Sequence, residues 1–245
     1  MRSLSASDIL QIWELGLCQH PLQRAVTILT VACPEMSADE AASLTIGQRD
    51  GYLLRLRELT FGSGMNGFAV CPQCSDRLEF SLNIPDIRVA DLDRLVQSEY
   101  GFCWGGIELQ FRLPNSWDLA AIASCNNPIL AQQRLIQRCA SQVKKDGAIV
   151  GINELSEEAI AQLAKQMTEC DPQAEIMLDF TCPGCNYQWQ SLFDITAFFW
   201  QEIAAFAKRL LREVHTLAKA YGWREADILA MSHQRRQFYL EMVGV

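Results

Sequence analysis

Apolar residues recur every three or four positions along residues 1–62, a spacing typical of helices that bury one face. Asp8 predicts the start of a first helix and Pro21 the start of a second, and residues 37–40 have the composition of a helix cap with an acidic first turn. Residues 47–59 are a fourth predicted helix, so this part of the chain is expected to be a helical region. The charged residues of that helix are expected to point away from its apolar face: Arg49, Asp50, Arg55 and Arg57.

The same spacing returns in residues 195–245, which are predicted to form a C-terminal helical region. Residues 195–221 indicate one long helix ended by Gly222, and shorter helices follow it. The first half of the long helix is apolar nearly all round, so it must be buried either in the protein's own core or against a partner. If a partner covers it, Phe199 and Trp200 are the residues expected to make the contact.

Two other segments have a different pattern, in which apolar and polar residues alternate as they do in half-buried strands. Residues 63–85 and residues 175–194 each carry this alternation on both sides of a Cys-Pro-x-Cys motif. Because strand, motif and strand follow in the same order twice, the sequence predicts an internal repeat of a metal-binding hairpin. The motif cysteines are Cys71 and Cys74 in the first hairpin, and Cys182 and Cys185 in the second.

Residues 86–174 separate the two hairpins and are predicted to form an inserted α/β region. Within it, residues 107–113 alternate as a strand, residues 129–143 are predicted to be a helix, and Ser156 is placed to cap a further helix. The expected fold class is therefore α+β, mostly helical, with a small split zinc-ribbon-like β unit built from the two hairpins.

Four thiolates close the tetrahedral shell of a structural zinc ion, and two residues between paired cysteines let both sulfurs reach one ion. The motifs therefore predict one structural Zn2+ held by Cys71, Cys74, Cys182 and Cys185. The alternative is a pair of redox motifs or unpaired thiols, but a thioredoxin-like motif opens a helix, whereas strand-like residues follow both motifs here. Because the ion would clamp distant segments together, its removal is expected to lower the melting temperature and to release the C-terminal helices.

Composition indicates the cellular compartment of the protein and argues against one class of partner. The N-terminus lacks the apolar stretch of a signal peptide and no segment is apolar for the length of a membrane span, so a cytoplasmic protein is expected. A formal net charge of −8 argues against a nucleic-acid partner. Ten cysteines in a reducing compartment favour metal binding over disulfides, and the six outside the motifs are expected to be small buried hydrophobes. These six are Cys18, Cys33, Cys103, Cys125, Cys139 and Cys170.

The chain carries no recognisable catalytic motif, such as a Gly-rich phosphate loop or a nucleophile elbow. It has three histidines: His20, His215, expected on the surface of the long helix, and His233, expected in a turn between helices. The neighbouring pair Arg235 and Arg236 is expected at a solvated helix start, with an acidic neighbour in an assembly as the alternative. The sequence therefore favours a protein without enzymatic activity and without catalytic residues.

Two groups of short motifs resemble a known family. The sequences LTIGQRD at residues 44–50 and LTFG at residues 59–62 closely precede the first cysteine motif, while WQEI at residues 200–203 and RRQFYL at residues 235–240 follow the second. This order is similar to that of the small baseplate and hub-assembly proteins of contractile phage tails, and of their relatives in phage-tail-like contractile injection systems. The likeness covers most of the chain and is loose over residues 86–156.

The resemblance implies a non-enzymatic structural or assembly component of a baseplate, made in the cytoplasm and assembled into a phage-tail-like particle. The implied partners are other baseplate, spike or tube proteins, without nucleic acid and without direct membrane insertion. Two alternatives remain open. One is a zinc-ribbon nucleic-acid or transcription-associated protein, which would be retained on a polyanion at physiological salt. The other is an assembly chaperone absent from the finished particle.

Overall fold

The computed structural model describes residues 1–89 and 97–244, and it confirms an α+β fold that is mostly helical with small antiparallel sheets. Residues 90–96 of the predicted insert and Val245 lie outside the described residues. The helices are α1 (Ala6–Gly16), α2 (Pro21–Ala32), α3 (Ala38–Ser43), α4 (Ile46–Phe61), α5 (Ile84–Ile87), α6 (Ser116–Ile122), α7 (Pro128–Cys139), α8 (Glu157–Cys170), α9 (Ile195–Tyr221), α10 (Glu225–Leu229) and α11 (His233–Met242). The strands are β1 (Gly64–Val70), β2 (Arg77–Asn83), β3 (Tyr100–Trp104), β4 (Ile107–Phe111), β5 (Ala140–Lys145), β6 (Ala148–Ile149), β7 (Met177–Thr181) and β8 (Gln188–Leu192).

The first helix begins two residues before the predicted start, because its cap is Ser5 and not Asp8. Asp8 lies at the third helical position, where its carboxylate accepts the backbone N–H of Ser5 and so completes a capping box. The side chain of Arg2 also bonds this carboxylate and, with Ser5, lowers the pKa of Asp8 to about 2. The predicted starts of α2 at Pro21 and of α3 after Ser37 are confirmed.

Helix α9 runs through the main hydrophobic core, which answers the question left open for its apolar first half. Phe199, Ile203 and Leu210 are fully buried in the cluster formed with α1, α2 and α4. Trp200 is half-buried, and the guanidinium of Arg24 lies 4.2 Å above its ring. The N-terminal helices and the first half of α9 therefore share one core, and Phe199 is unavailable for contact with a partner.

The expectation that the charged residues of α4 point away from the core is wrong for three of the four. Arg55 is exposed, but Arg49 and Arg57 are 5% and 3% exposed, and Asp50 is largely buried. Arg57 makes a forked pair with Glu202 of α9, with N···O distances of 2.9 and 2.6 Å. Arg49 is paired with its neighbour Asp50, whereas Arg57 is paired with a carboxylate 145 residues away, which the local spacing of residues does not show.

Residues 97–174 contain a four-stranded sheet and an apolar cluster that is distinct from the main core. Strands β3, β4, β5 and β6 pair antiparallel in chain order, and α7 and α8 contribute to the cluster. The predicted helix over residues 129–143 is wrong at its end, since α7 stops at Cys139 and residues 140–143 begin β5. Val143 pairs with Leu109 of β4, so strand pairing replaces the last helical turn.

The C-terminal helices pack on the end of α9 through a buried ion pair. Arg236 is 2% exposed and its Nε lies 3.1 Å from Glu213 of α9, so the expectation of a solvated pair is wrong for Arg236. Arg235 is exposed as expected. His233 is the first residue of α11, capped by Ser232, and does not lie in a turn.

Within residues 1–89 and 97–244, no helix combines the length and the apolar composition needed to cross a lipid bilayer.

Candidate metal centre

The two cysteine motifs occupy equivalent positions in two antiparallel hairpins, β1–β2 and β7–β8. In the first hairpin, the N–H of Cys71 donates to the carbonyl of Asp76, and the N–H of Ser75 donates to the carbonyl of Cys71. The second hairpin has the same two bonds, from Cys182 to Tyr187 and from Asn186 to Cys182. The internal repeat predicted from the sequence is therefore repeated in the backbone geometry.

Each hairpin turns through a left-handed residue directly after its second cysteine. Ser75 has a φ of 64° and Asn186 a φ of 58°. Asn tolerates this region better than most residues with a side chain, whereas Ser adopts it at a higher cost. The same uncommon backbone state at the same position of both motifs aims the two cysteines of each pair towards one point.

The four cysteine sulfurs converge. They all lie within 4.8 Å of one another, with 3.6 Å between the sulfurs of Cys71 and Cys185 and 3.5 Å between those of Cys74 and Cys182. These separations are far longer than the ~2.05 Å of a disulfide. A tetrahedral zinc ion with Zn–S bonds of about 2.3 Å requires sulfurs about 3.8 Å apart, so these two separations are close to the value that such an ion needs.

The hairpins also touch beyond the sulfurs. The rings of Phe80 and Phe180 pack edge to face with centroids 5.2 Å apart. Gly184 lies so close to the carboxylate of Asp76 that a Cβ at this position would overlap it. The two turns therefore approach each other at the glycine of the second motif, where the first motif has Gln73.

Backbone donors and the crowding of thiols set the charge of the cluster. Desolvation opposes ionisation of Cys71, but the N–H groups of Cys74 and Gln73 outweigh it and lower the pKa of Cys71 to about 7. The N–H of Asp76 favours the Cys74 thiolate, but desolvation and the neighbouring thiols outweigh it and raise the pKa of Cys74. Four crowded thiols cannot all ionise unless a cation neutralises them, and a divalent metal ion does so.

The cluster suits a structural metal better than a catalytic one. Cys71 and Cys182 are 1% and 0% exposed, whereas Cys74 is exposed at the outer face. Four thiolates fill a tetrahedral shell, so no open position remains for a substrate or an activated water. Among the described residues, no other group of three or more His, Cys, Asp or Glu side chains comes as close together.

The cysteines outside the motifs follow the expectation only in part. Cys33 and Cys139 are buried as expected, and Cys125 and Cys170 are half-buried. Cys18 and Cys103 are exposed, so the expectation of buried hydrophobes is wrong for them. Cys18 follows the end of α1, and Cys103 lies on the outer side of strand β3.

The histidines do not join the cysteine cluster. His20 caps α2, where its Nδ1 accepts the N–H of Leu22 at 3.3 Å. His215 is exposed on α9, as expected.

A buried contact that the sequence interpretation missed joins the insert to α4. The carboxylate of Asp171 accepts the N–H of Gly47 at 2.9 Å, in the first turn of α4, and a Cβ at Gly47 would overlap this carboxylate. Burial raises the pKa of Asp171, although the bond from Gly47 opposes the shift. Because 124 residues separate the two partners, no local pattern could have revealed the pair.

Comparison with known proteins gives one result. The family model described as T4 bacteriophage base plate protein matches residues 18–200, about three quarters of the chain, and the match includes both cysteine motifs. No curated protein and no solved structure gives a significant match. The chain therefore belongs to the T4 bacteriophage base plate protein family.

Proposed function

We propose that the protein is a non-enzymatic structural or assembly component of the baseplate of a contractile, phage-tail-like injection system. Membership of the base plate family carries this proposal, because the matched residues 18–200 contain helices α2 to α8 and both hairpins. Such a role needs surfaces that dock and a fold that keeps its shape, and it needs no chemistry.

The four motif cysteines would hold one structural Zn2+. The donor set supports zinc over harder ions, since thiolates suit zinc whereas magnesium and calcium prefer oxygen. Cys71 and Cys74 would fix the first hairpin, and Cys182 and Cys185 the second. The bound ion would tie together segments that lie more than 100 residues apart in the chain.

A related proposal concerns the domain organisation. We propose that residues 86–174 form an inserted subdomain, closed at its base by the split unit of residues 63–85 and 175–194. The separate apolar cluster of β3, β4, β5, α7 and α8 supports this division. The helical regions of residues 1–62 and 195–245 would then position the split unit and the inserted subdomain within the particle.

Purified intact particles test the proposed role. Mass spectrometry of such particles should find this chain at a fixed copy number, and deletion of its gene should stop particles from maturing. A chain absent from particles that nevertheless require it would indicate an assembly chaperone. Normal particles formed without the chain would contradict both forms of the proposal.

A further inference from the structure

A cavity of about 560 Å³ lies between the inserted region and the helical core. This volume is within the range of about 300–1,000 Å³ that is usual for ligand pockets. Its walls are mostly apolar and come from both sides, with Leu22 of α2, Leu119 of α6, Leu135 of α7, Met167 of α8 and Phe193 before α9. The cavity is separate from the cysteine cluster, none of whose residues lines it.

Negative charge dominates the polar part of the cavity. Of the described residues that line it, Arg49 is the one cation, and it pairs with Asp50 at 2.8 Å. Three further carboxylates line the cavity without a cation of their own in its wall: Asp171, Glu175 and Asp194. Burial, with smaller contributions from Asp194 and Asp171, raises the pKa of Asp50 to about 6 although Arg49 opposes the shift. The wall therefore carries an excess of negative charge.

A buried hydroxyl in the same wall has no hydrogen-bond partner among the described residues. Thr196 lies in the first turn of α9, lines the cavity and is 4% exposed. Its Oγ1 is buried and makes no hydrogen bond within the described part of the chain. Buried hydroxyl groups are nearly always bonded, so this one is free to bond a group that enters the cavity.

These features indicate which kind of chemical group the cavity binds. Apolar walls accept a methylene stem, while carboxylates and a free hydroxyl oxygen accept a cationic end with several N–H donors. Lysine and arginine side chains combine the two. Leu192 stands 58% exposed at the rim and offers an apolar contact to the residues on either side of such a side chain.

We propose that this cavity receives a lysine or arginine side chain from an extended segment of a neighbouring baseplate protein. The inference rests on the proposed function for the class of partner, and on the cavity alone for the chemistry. The cationic end would lie among Asp50, Asp194 and Thr196, with its stem along Leu119 and Met167. The insert and the helical core would thereby hold one partner segment between them.

Short peptides on the full-length, zinc-loaded chain test the inference. The probe is Leu-Lys-Leu-amide with a fluorophore on its N-terminal amine, and the matched peptides carry norleucine or glutamate in place of lysine. Fluorescence anisotropy should give the lysine peptide at least tenfold higher affinity than either matched peptide. Equal affinities, or no binding of the lysine peptide, would overturn the inference.

Variants identify the cavity as the binding place. Asp194→Ser keeps a capping oxygen for α9 but removes the charge, and Thr196→Val keeps the shape but removes the hydroxyl. Each should weaken binding of the lysine peptide at least fivefold, whereas Glu14→Gln, an exposed change on α1, should not. Unchanged affinity in both cavity variants would overturn the inference.

Peptide binding and particle composition together distinguish failure of the cavity inference from failure of the proposed function. Zinc-loaded protein that is present in particles but does not discriminate between the peptides would contradict the cavity inference alone. A chain that prefers the lysine peptide but is dispensable and absent from particles would contradict the proposed function alone.

Discussion

At the scale of single residues, Cys71, Cys74, Cys182 and Cys185 bring four sulfurs within 4.8 Å of one another. The spacing of Cys71, Cys74, Cys182 and Cys185 states the chemistry directly, because two residues between ligands is the requirement of a zinc knuckle. The close approach of Gly184 to the Asp76 carboxylate, by contrast, depends on two turns that are distant in the chain. Sequence spacing determines which side chains share a motif, whereas packing determines what each one meets.

Gly47 should be intolerant of any side chain, because a Cβ would overlap the Asp171 carboxylate. We expect Gly47→Ala to lower the free energy of unfolding by about 1–3 kcal/mol, the usual cost of overpacking a buried site. Gly101→Ala is the matched control, since nothing lies within 4 Å of a Cβ there. Urea denaturation of both variants checks this, and an equal effect at the two positions would contradict the contact.

Asp50 should make stability depend on pH. Its folded pKa of about 6 lies above the ordinary value of 3.8, so the folded state keeps a proton that the unfolded state releases between these values. The free energy of unfolding therefore falls as pH rises from about 4 to 6, by about 3 kcal/mol for this group. Below about pH 4 the Asp50 carboxyl is protonated in both states and lowers the stability little. Above about pH 6 the full cost of burying its charge is present.

Asp50→Asn isolates this contribution because the amide does not titrate. The difference in free energy of unfolding between the native chain and Asp50→Asn, measured in urea at pH 4, 5, 6 and 7, should fall across the window. Any constant cost of leaving Arg49 without its carboxylate cancels from this trend. A difference independent of pH, or one that rises with pH, would contradict the raised pKa.

At the scale of elements, long periodic segments were predictable and transitions were not. The bounds of α9 follow from its apolar spacing and from Gly222, which adopts the left-handed state with a φ of 69°. The end of α7 does not follow in the same way, since residues 140–143 fit a helical pattern but pair with β4. Residues 140–143 form a strand and not a helical turn because β4, which is distant in the sequence, lies beside them.

The pair of Arg57 and Glu202 joins α4 to α9 and should stabilise that contact. Glu202→Gln would leave the guanidinium of Arg57, 3% exposed, without its charged partner. Because Glu202 is itself 26% exposed, we expect a loss of about 2 kcal/mol, below the range for fully buried pairs. Chemical denaturation measures it, with Glu14→Gln as the exposed control; losses that are the same in both variants would contradict the role of the pair.

At the scale of the whole molecule, the fold class could be predicted but the partition of the core could not. Paired motifs and helical periodicity gave an α+β protein with a split β unit. That residues 1–62 and α9 form one cluster depends on contacts across more than 100 residues, which no window of sequence contains. The negative cavity was missed for the same reason, since its walls come from both ends and from the insert.

The shared core changes what zinc removal should do. Since Phe199, Ile203 and Leu210 are fully buried, chelation is no longer expected to release α9. Hydrogen exchange should instead rise in the hairpins, β1–β2 and β7–β8, while the first half of α9 stays protected. Equal loss of protection in α9 and in the hairpins would contradict the view that the core is independent of the cluster.

The zinc content of the purified chain shows whether the four motif cysteines hold one structural zinc ion. Elemental analysis should give one zinc per chain, lost in Cys182→Ser and retained in Cys18→Ser, a change at an exposed cysteine outside the cluster. Absence of zinc from the native chain, with all four motif thiols reacting freely, would show that these cysteines hold no structural zinc ion.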